Sequence, residues 1–123
     1  MVDRKRRLDC ANGIRKADIV LKHGKVLNVF TEEILEADVA ICGDTIVGVG
    51  SYEGEREIDC TGKYLVPGFL DAHMHIESSM VSPGELSKVL VQAGTTTIVA
   101  DPHEIVNVCG VKGMDYFLKC AGK

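Results

Sequence analysis

The sequence of 123 residues has no tryptophan, three prolines, and no apolar run near the roughly twenty residues that a membrane-spanning helix needs. The early basic run is followed by Leu8-Asp9-Cys10 rather than by an apolar stretch, which argues against a secretory signal. The formal net charge of −4 gives no general affinity for nucleic acid or for acidic membranes. We therefore expect a cytoplasmic protein that binds neither nucleic acid nor membrane.

The sequence also lacks any Cys-x-x-Cys pair. An odd number of scattered cysteines argues against a disulfide framework or a structural zinc knuckle and favours reduced, mostly buried thiols. The apolar fraction of 46% is enough to form the core of a small domain. The cysteines are Cys10, Cys42, Cys60, Cys109 and Cys120.

The first half of the chain has the pattern of a small β domain. Residues 3–16, which include the basic run, predict a short amphipathic helix with Asp3 as its N-cap. Residues 18–65 alternate short apolar segments with Gly or Asp turns, which is typical of a small antiparallel sandwich or barrel. His23, beside Gly24, is predicted to be a surface residue in such a turn. Residues 1–66 thus predict a short helix plus a small β-sandwich region.

The pattern changes at Pro67-Gly68, so residues 67–123 are predicted to form a second region. A strand is followed by a helix that starts with Ser82 as N-cap, Pro83 in the first turn and Glu85 closing a capping box. A β-branched strand and a last helix follow. This order predicts an α/β fold built from two βα units. The predicted elements are strand 69–75, the helix ending at Gly94, strand 95–100 and helix 114–120.

The first strand of this region carries an unusual row of ionisable groups. Strand alternation puts Asp71, His73, His75 and Glu77 on one face, while the other face is apolar and is expected to be covered. Two histidines at i and i+2 point the same way, about 6.5–7 Å apart along the strand, so their rings can converge on one ion. A single buried histidine is more often structural, but a buried ionisable row needs partners, which a divalent metal supplies. Asp71 is placed to orient one of the rings.

A second polar cluster, Asp101-Pro102-His103-Glu104, follows the next strand. Because the carboxyl ends of neighbouring parallel strands meet at one edge, both clusters are expected to face the same cavity. The alternative, that Asp101 and His103 only cap a turn and a helix, stays open. His75-Ile76-Glu77 also matches half of the zinc signature of cytidine-deaminase-like folds, but the Pro-Cys-x-x-Cys half is absent, which excludes that fold.

These strings resemble the amidohydrolase superfamily over about residues 17–118. The resemblance rests on a small β region that leads into Val66–His75, then on His73–Met80, Gly94–Thr97 and Ala100–Ile105. It implies a TIM-like barrel flanked by a β-sandwich built from both chain ends, with one or two divalent metals, manganese, iron or zinc. The last three strings are similar to members that hydrolyse adenine to hypoxanthine and ammonia, so the implied substrate is a purine base.

The resemblance also implies the roles of individual residues. His73 and His75 match the metal ligands of the first barrel strand. Four further residues match positions near the site, without individual roles, as candidate catalytic groups: Glu77, Asp101, His103 and Glu104.

The residues from Phe69 onward are enough for two βα units, whereas a closed barrel takes about 200 or more residues. We therefore expect the N-terminal part of a longer enzyme, inactive alone and a homo-oligomer when intact. Two alternatives stay open. One is another cyclic-amide amidohydrolase of the dihydroorotase or hydantoinase kind. The other is a non-catalytic fragment that serves only as an assembly module.

Overall fold

The computed structural model describes residues 3–121, which divide into two compact units between Pro67 and Gly68. The first unit begins with helix α1, Arg4–Ala11, after Asp3, whose side chain makes no capping hydrogen bond. The helix is shorter than predicted because Gly13 adopts a φ of 68°, which ends it. Five strands follow: β1 (Ala17–Asn28), β2 (Glu33–Cys42), β3 (Thr45–Gly50), β4 (Gly54–Asp59) and β5 (Tyr64–Leu65).

These strands form one sheet in the order β3-β2-β1-β4, with β5 also pairing with β1. The β1–β2 and β2–β3 pairs are antiparallel as predicted, but β4 and β5 run parallel to β1, so the expectation of a purely antiparallel region was wrong. The reason is the segment 51–53, which crosses from β3 to the other side of β1 instead of turning back as a hairpin.

The predicted two-layer sandwich is also absent from the described residues of this unit. Helix α1 covers one face, where Cys10 and Cys42 are fully buried with their sulfurs 3.6 Å apart. Strand alternation puts Leu21 and Val39 on the opposite face, which lines an open apolar groove of about 720 Å³. One sheet has only one partner here, so its second apolar face is open along this groove, where Val39 is buried but Ile46 is 66% exposed.

The buried side of this sheet contains a polar network around Asp38, which is 6% exposed. One carboxylate oxygen accepts hydrogen bonds from Lys22 Nζ at 2.6 Å and from the backbone amide of Tyr52 at 3.2 Å. The other oxygen accepts from the backbone amide of His23 at 3.0 Å. Burial by itself raises the pKa of Asp38, but these donors together hold it below its ordinary value.

His23 itself is exposed, as predicted, but it does not lie in a turn between two strands. Strand β1 runs on through it, and its φ of 58° accompanies a bulge between Leu21 and Gly24 in the pairing with β2. An extra residue in one strand produces a bulge rather than a chain reversal, so the predicted turn was wrong.

The second unit has mixed α/β structure, which confirms the predicted class at that level. Strands β6 and β7 pair in parallel and are joined through α2. Ser82 caps α2 by accepting from the amide of Glu85 at 3.4 Å, as predicted, but the Glu85 carboxylate accepts from Lys88 instead of closing a capping box. The elements are β6 (Phe69–Met74), a 3₁₀ turn (Glu77–Ser79), α2 (Pro83–Gln92), β7 (Thr95–Ala100), α3 (His103–Cys109) and α4 (Val111–Ala121).

The core of the second unit is small and lies on one side of its strands. Ile76, Leu86 and Phe117 are buried together, with Ile98 and Ile105 packed against them. The expectation that the apolar face of the first strand is covered holds only at its carboxyl end, where Met74 and Ile76 join this core, and was wrong for Leu70, which is 62% exposed. A two-stranded sheet with three helices has too few neighbours to cover both of its faces. In the part of the chain that the structure describes, every helix is too short or too polar to cross a membrane.

Candidate metal centre

Polar side chains gather where β6 and β7 end. The two strands are parallel, with Met74 opposite Ala100, and the amide of Asp101 donates to the carbonyl of Met74 at 2.9 Å. This last hydrogen bond between the strands places their carboxyl ends side by side. His73 and His75 on one side therefore lie next to the Asp101-Pro102-His103-Glu104 segment on the other.

The two histidines converge on each other. His73 Nε2 lies 3.0 Å from His75 Nε2, and the two rings meet nearly edge to face at an angle of 84°. Two nitrogens that each bind the same metal at about 2.0–2.1 Å lie about 3 Å apart when the angle between them is near 90°. The spacing of this pair therefore fits joint ligation of one ion.

The orientation of His75 is held by the neighbouring strand end. His75 Nδ1 lies 3.0 Å from the backbone carbonyl of Asp101, so this nitrogen carries the proton and donates it. That tautomer leaves Nε2 unprotonated, as a metal ligand must be. Sequence reasoning missed this partner, because a backbone carbonyl has no signature in the sequence.

The second strand end adds a carboxylate and an imidazole. His103 Nδ1 lies 3.1 Å from Asp101 Oδ2, and the hydrogen bond and charge of His103 lower the pKa of Asp101. The ligand atoms of His73, His75 and Asp101 all lie within 4.8 Å of one another, and so do those of His75, His103 and Glu104. The structure thus brings three of the four candidate catalytic groups next to the histidine pair.

Asp71 and Glu77 are arranged differently from the prediction. Asp71 Oδ1 accepts from the backbone amide of His73 at 3.0 Å, so it contacts the main chain rather than an imidazole. Glu77 lies on the 3₁₀ turn and not on the strand, which ends at Met74, so the predicted alternating face stops before it. Its Oε1 accepts from the backbone amide of Ile105 at 3.0 Å.

Comparison with known proteins shows what this half of the chain is similar to. The amidohydrolase family matches residues 64–123, the part that carries both strand ends. This match covers just under half of the chain. The adenine deaminase of Clostridium acetobutylicum is 52% identical to the chain over 113 residues, which are 92% of this chain and 20% of that protein.

Two solved amidohydrolase-like structures agree with the fold. D-aminoacylase, described with a binuclear metal centre, superposes with a TM-score of 0.59 at 31% identity over 68% of this chain and 18% of its own. N-acyl-D-glutamate deacylase from Bordetella bronchiseptica, in complex with zinc, superposes with a TM-score of 0.57 at 26% identity over 70% of this chain and 19% of its own. The chain spans about a fifth of the length of each of these relatives.

Proposed function

We propose that the chain is the N-terminal part of an adenine deaminase, with His73 and His75 as metal ligands. The observation that carries the proposal is the 3.0 Å approach of their Nε2 atoms. Two things support it: the carbonyl of Asp101 holds His75 in the ligand tautomer, and the chain is 52% identical to an adenine deaminase. The activity proposed is hydrolysis of adenine to hypoxanthine and ammonia.

A divalent cation fits the residues at the strand ends, because two imidazoles and a nearby carboxylate suit zinc, iron or manganese. His73 and His75 would hold it, with the Asp101 carboxylate next to them. When bound, such an ion supplies Lewis acidity and lowers the pKa of water to near neutrality.

The chain's own residues can handle protons beside this site. The hydrogen bond between Asp101 Oδ2 and His103 Nδ1 orients the imidazole. Nε2 of His103 is then the ring nitrogen available to donate or accept a proton. Glu104 accepts a hydrogen bond from Ser78 at 3.2 Å, so its carboxylate is also held in place.

The remaining proposals concern the whole protein. We propose that β6 and β7 are the first two strands of a barrel whose other strands supply the rest of the site, so that residues 1–123 alone do not deaminate adenine. The exposed apolar side chains of these strands support this, since Leu70 is 62% and Val99 54% exposed.

We also propose a homo-oligomeric intact enzyme. The five free thiols support a reducing compartment, the cytoplasm.

The decisive experiment is a chimera in which this chain replaces the matching N-terminal fifth of the Clostridium acetobutylicum adenine deaminase. The chimera, loaded with Mn²⁺ or Zn²⁺, is expected to release ammonia from adenine, and a matched chimera with His73→Ala and His75→Ala is expected to be inactive. Circular dichroism and metal content establish that both chimeras are folded and show which of them carry metal.

The alternatives predict other results from the same chimera. A folded, metal-loaded chimera that opens hydantoin or dihydroorotate but releases no ammonia from adenine would favour the cyclic-amide hydrolases. A folded chimera that binds no metal and turns over no substrate would favour a non-catalytic assembly module.

A further inference from the structure

We infer that Glu77 is a positioning residue, which holds the first turn of α3 so that His103 and Glu104 face the histidine pair. The inference rests on the proposed function, because it concerns the geometry of the same site. It separates Glu77 from the candidate catalytic groups and gives it a role through the backbone rather than through a reacting atom.

Helix α3 needs an acceptor from elsewhere in the chain. Its N-cap is Pro102, which has no side-chain oxygen and makes no capping hydrogen bond. Its first turn consists of His103, Glu104 and Ile105, so the two site residues lie where the helix lacks its own cap. Glu77 supplies the acceptor, since its Oε1 binds the amide of Ile105 at 3.0 Å across 28 residues of sequence.

A second contact joins the same two segments. Ser78, next to Glu77 on the 3₁₀ turn, donates its hydroxyl to Glu104 Oε1 at 3.2 Å. Beneath these polar contacts Ile76 is buried in the apolar cluster against which Ile105 packs. The turn therefore holds the start of α3 by a carboxylate, a hydroxyl and an apolar contact, all within three consecutive residues.

The Glu77 carboxylate is not part of the clusters formed around the histidine pair by the described residues. Of the described residues, five contribute ligand atoms to the two groups that could hold a metal, and Glu77 is not among them. Its second oxygen, Oε2, is buried and has no hydrogen-bond partner among residues 3–121. A carboxylate that moves protons or binds the ion must reach the site, whereas one that accepts from a backbone amide need only be fixed.

Two substitutions distinguish these roles in the whole chain. Glu77→Gln keeps an acceptor for the Ile105 amide but removes the charge, while Glu77→Ala removes the acceptor. For Glu77→Ala we expect hydrogen exchange of the Ile105 amide to accelerate about tenfold and Zn²⁺ affinity to fall about 10–100-fold. For Glu77→Gln we expect both quantities to stay within about threefold of the parent.

The matched control is Glu85→Ala, which removes an exposed carboxylate from the first turn of α2, whose hydrogen-bond partner among residues 3–121 is Lys88. It should change neither Ile105 exchange nor Zn²⁺ affinity. The inference is overturned if Glu77→Gln is as damaging as Glu77→Ala, or if Glu77→Ala leaves Ile105 exchange unchanged. A parent chain that binds no Zn²⁺ contradicts the proposed metal site instead, while Ile105 exchange still decides whether Glu77 holds α3.

Discussion

The two units of the chain differ in the exposure and the partners of their main clusters of ionisable groups. In the first unit the side chain of Asp38 is 8% exposed, and a lysine and two backbone amides fill its hydrogen-bonding positions. In the second unit the side chains of Asp101 and His103 are 49% and 53% exposed and lie beside two converging histidines. A buried carboxylate with all its partners stabilises a fold, whereas exposed groups that converge form a site that can accept a ligand.

The largest expected effect tests whether the exposed cluster of the second unit binds a metal ion. Replacing both His73 and His75 by Ala should lower the Zn²⁺ affinity of the chain at least about 100-fold, because both converging Nε2 atoms are removed. Isothermal titration with Zn²⁺ measures this. His23→Ala is the matched control, an exposed histidine of the first unit that should leave Zn²⁺ binding unchanged. An equal loss of Zn²⁺ affinity in His23→Ala would contradict the assignment of the metal site to the second unit.

The next largest effect tests the structural side. Asp38→Ala removes the acceptor of two backbone amides and the anionic partner of Lys22, whose Nζ keeps only the carbonyl of Tyr52, so the free energy of unfolding of the first unit should fall by about 3 kcal/mol. Urea unfolding followed by circular dichroism measures it. Asp59→Ala, an exposed carboxylate of the same sheet, should cost about 1 kcal/mol or less. Zn²⁺ affinity should not change in either variant, and a loss of metal binding in Asp38→Ala would contradict the separation of roles.

A smaller effect on stability is expected from a change of pH, which can neutralise Asp38 or Lys22 without changing the shape of either side chain. The pKa of Asp38 lies below its ordinary value of 3.8, so its contribution to stability is complete above that value and is lost as pH falls through the lowered pKa. The hydrogen bond with Asp38 raises the pKa of Lys22 above 10.5, so that contribution is complete below 10.5 and is lost as pH rises through the raised pKa.

The stability difference between the parent and Asp38→Asn should therefore be constant between about pH 5 and 9 and shrink at the acid end. Urea midpoints from about pH 2 to pH 9 measure it. A difference that grows as the pH falls would show that the pair does not act as an ion pair.

The smallest expected effect is local to the second unit. Ser82→Ala removes the side-chain acceptor of the Glu85 amide at the start of α2 and should cost about 1 kcal/mol. Ser87→Ala, within the same helix, is the control and should change the free energy of unfolding by about 0.5 kcal/mol or less. Neither variant should change Zn²⁺ affinity, because α2 contributes no residue to the histidine cluster.

Local patterns predicted those parts of the second unit that depend on neighbouring residues. The β-branched run 95–100 forms β7, and Ser82 with Pro83 starts α2, because strand alternation and helix capping act over a few residues. Helix α3 was not predicted, because it is seven residues long and its cap comes from Glu77. In the first unit the parallel course of β4 was missed, because it depends on where segment 51–53 crosses the sheet.

The sequence by itself determined which chemistry is available. Two histidines two residues apart, and an aspartate and a histidine after the next apolar run, specify the donor types and which strand ends carry them. Only the tertiary structure decided which nitrogen of His75 is free, that Asp71 contacts a backbone amide, and that Glu77 binds α3. The physical reason is that these partners are backbone groups, which every residue carries, so that only folding selects which of them meet.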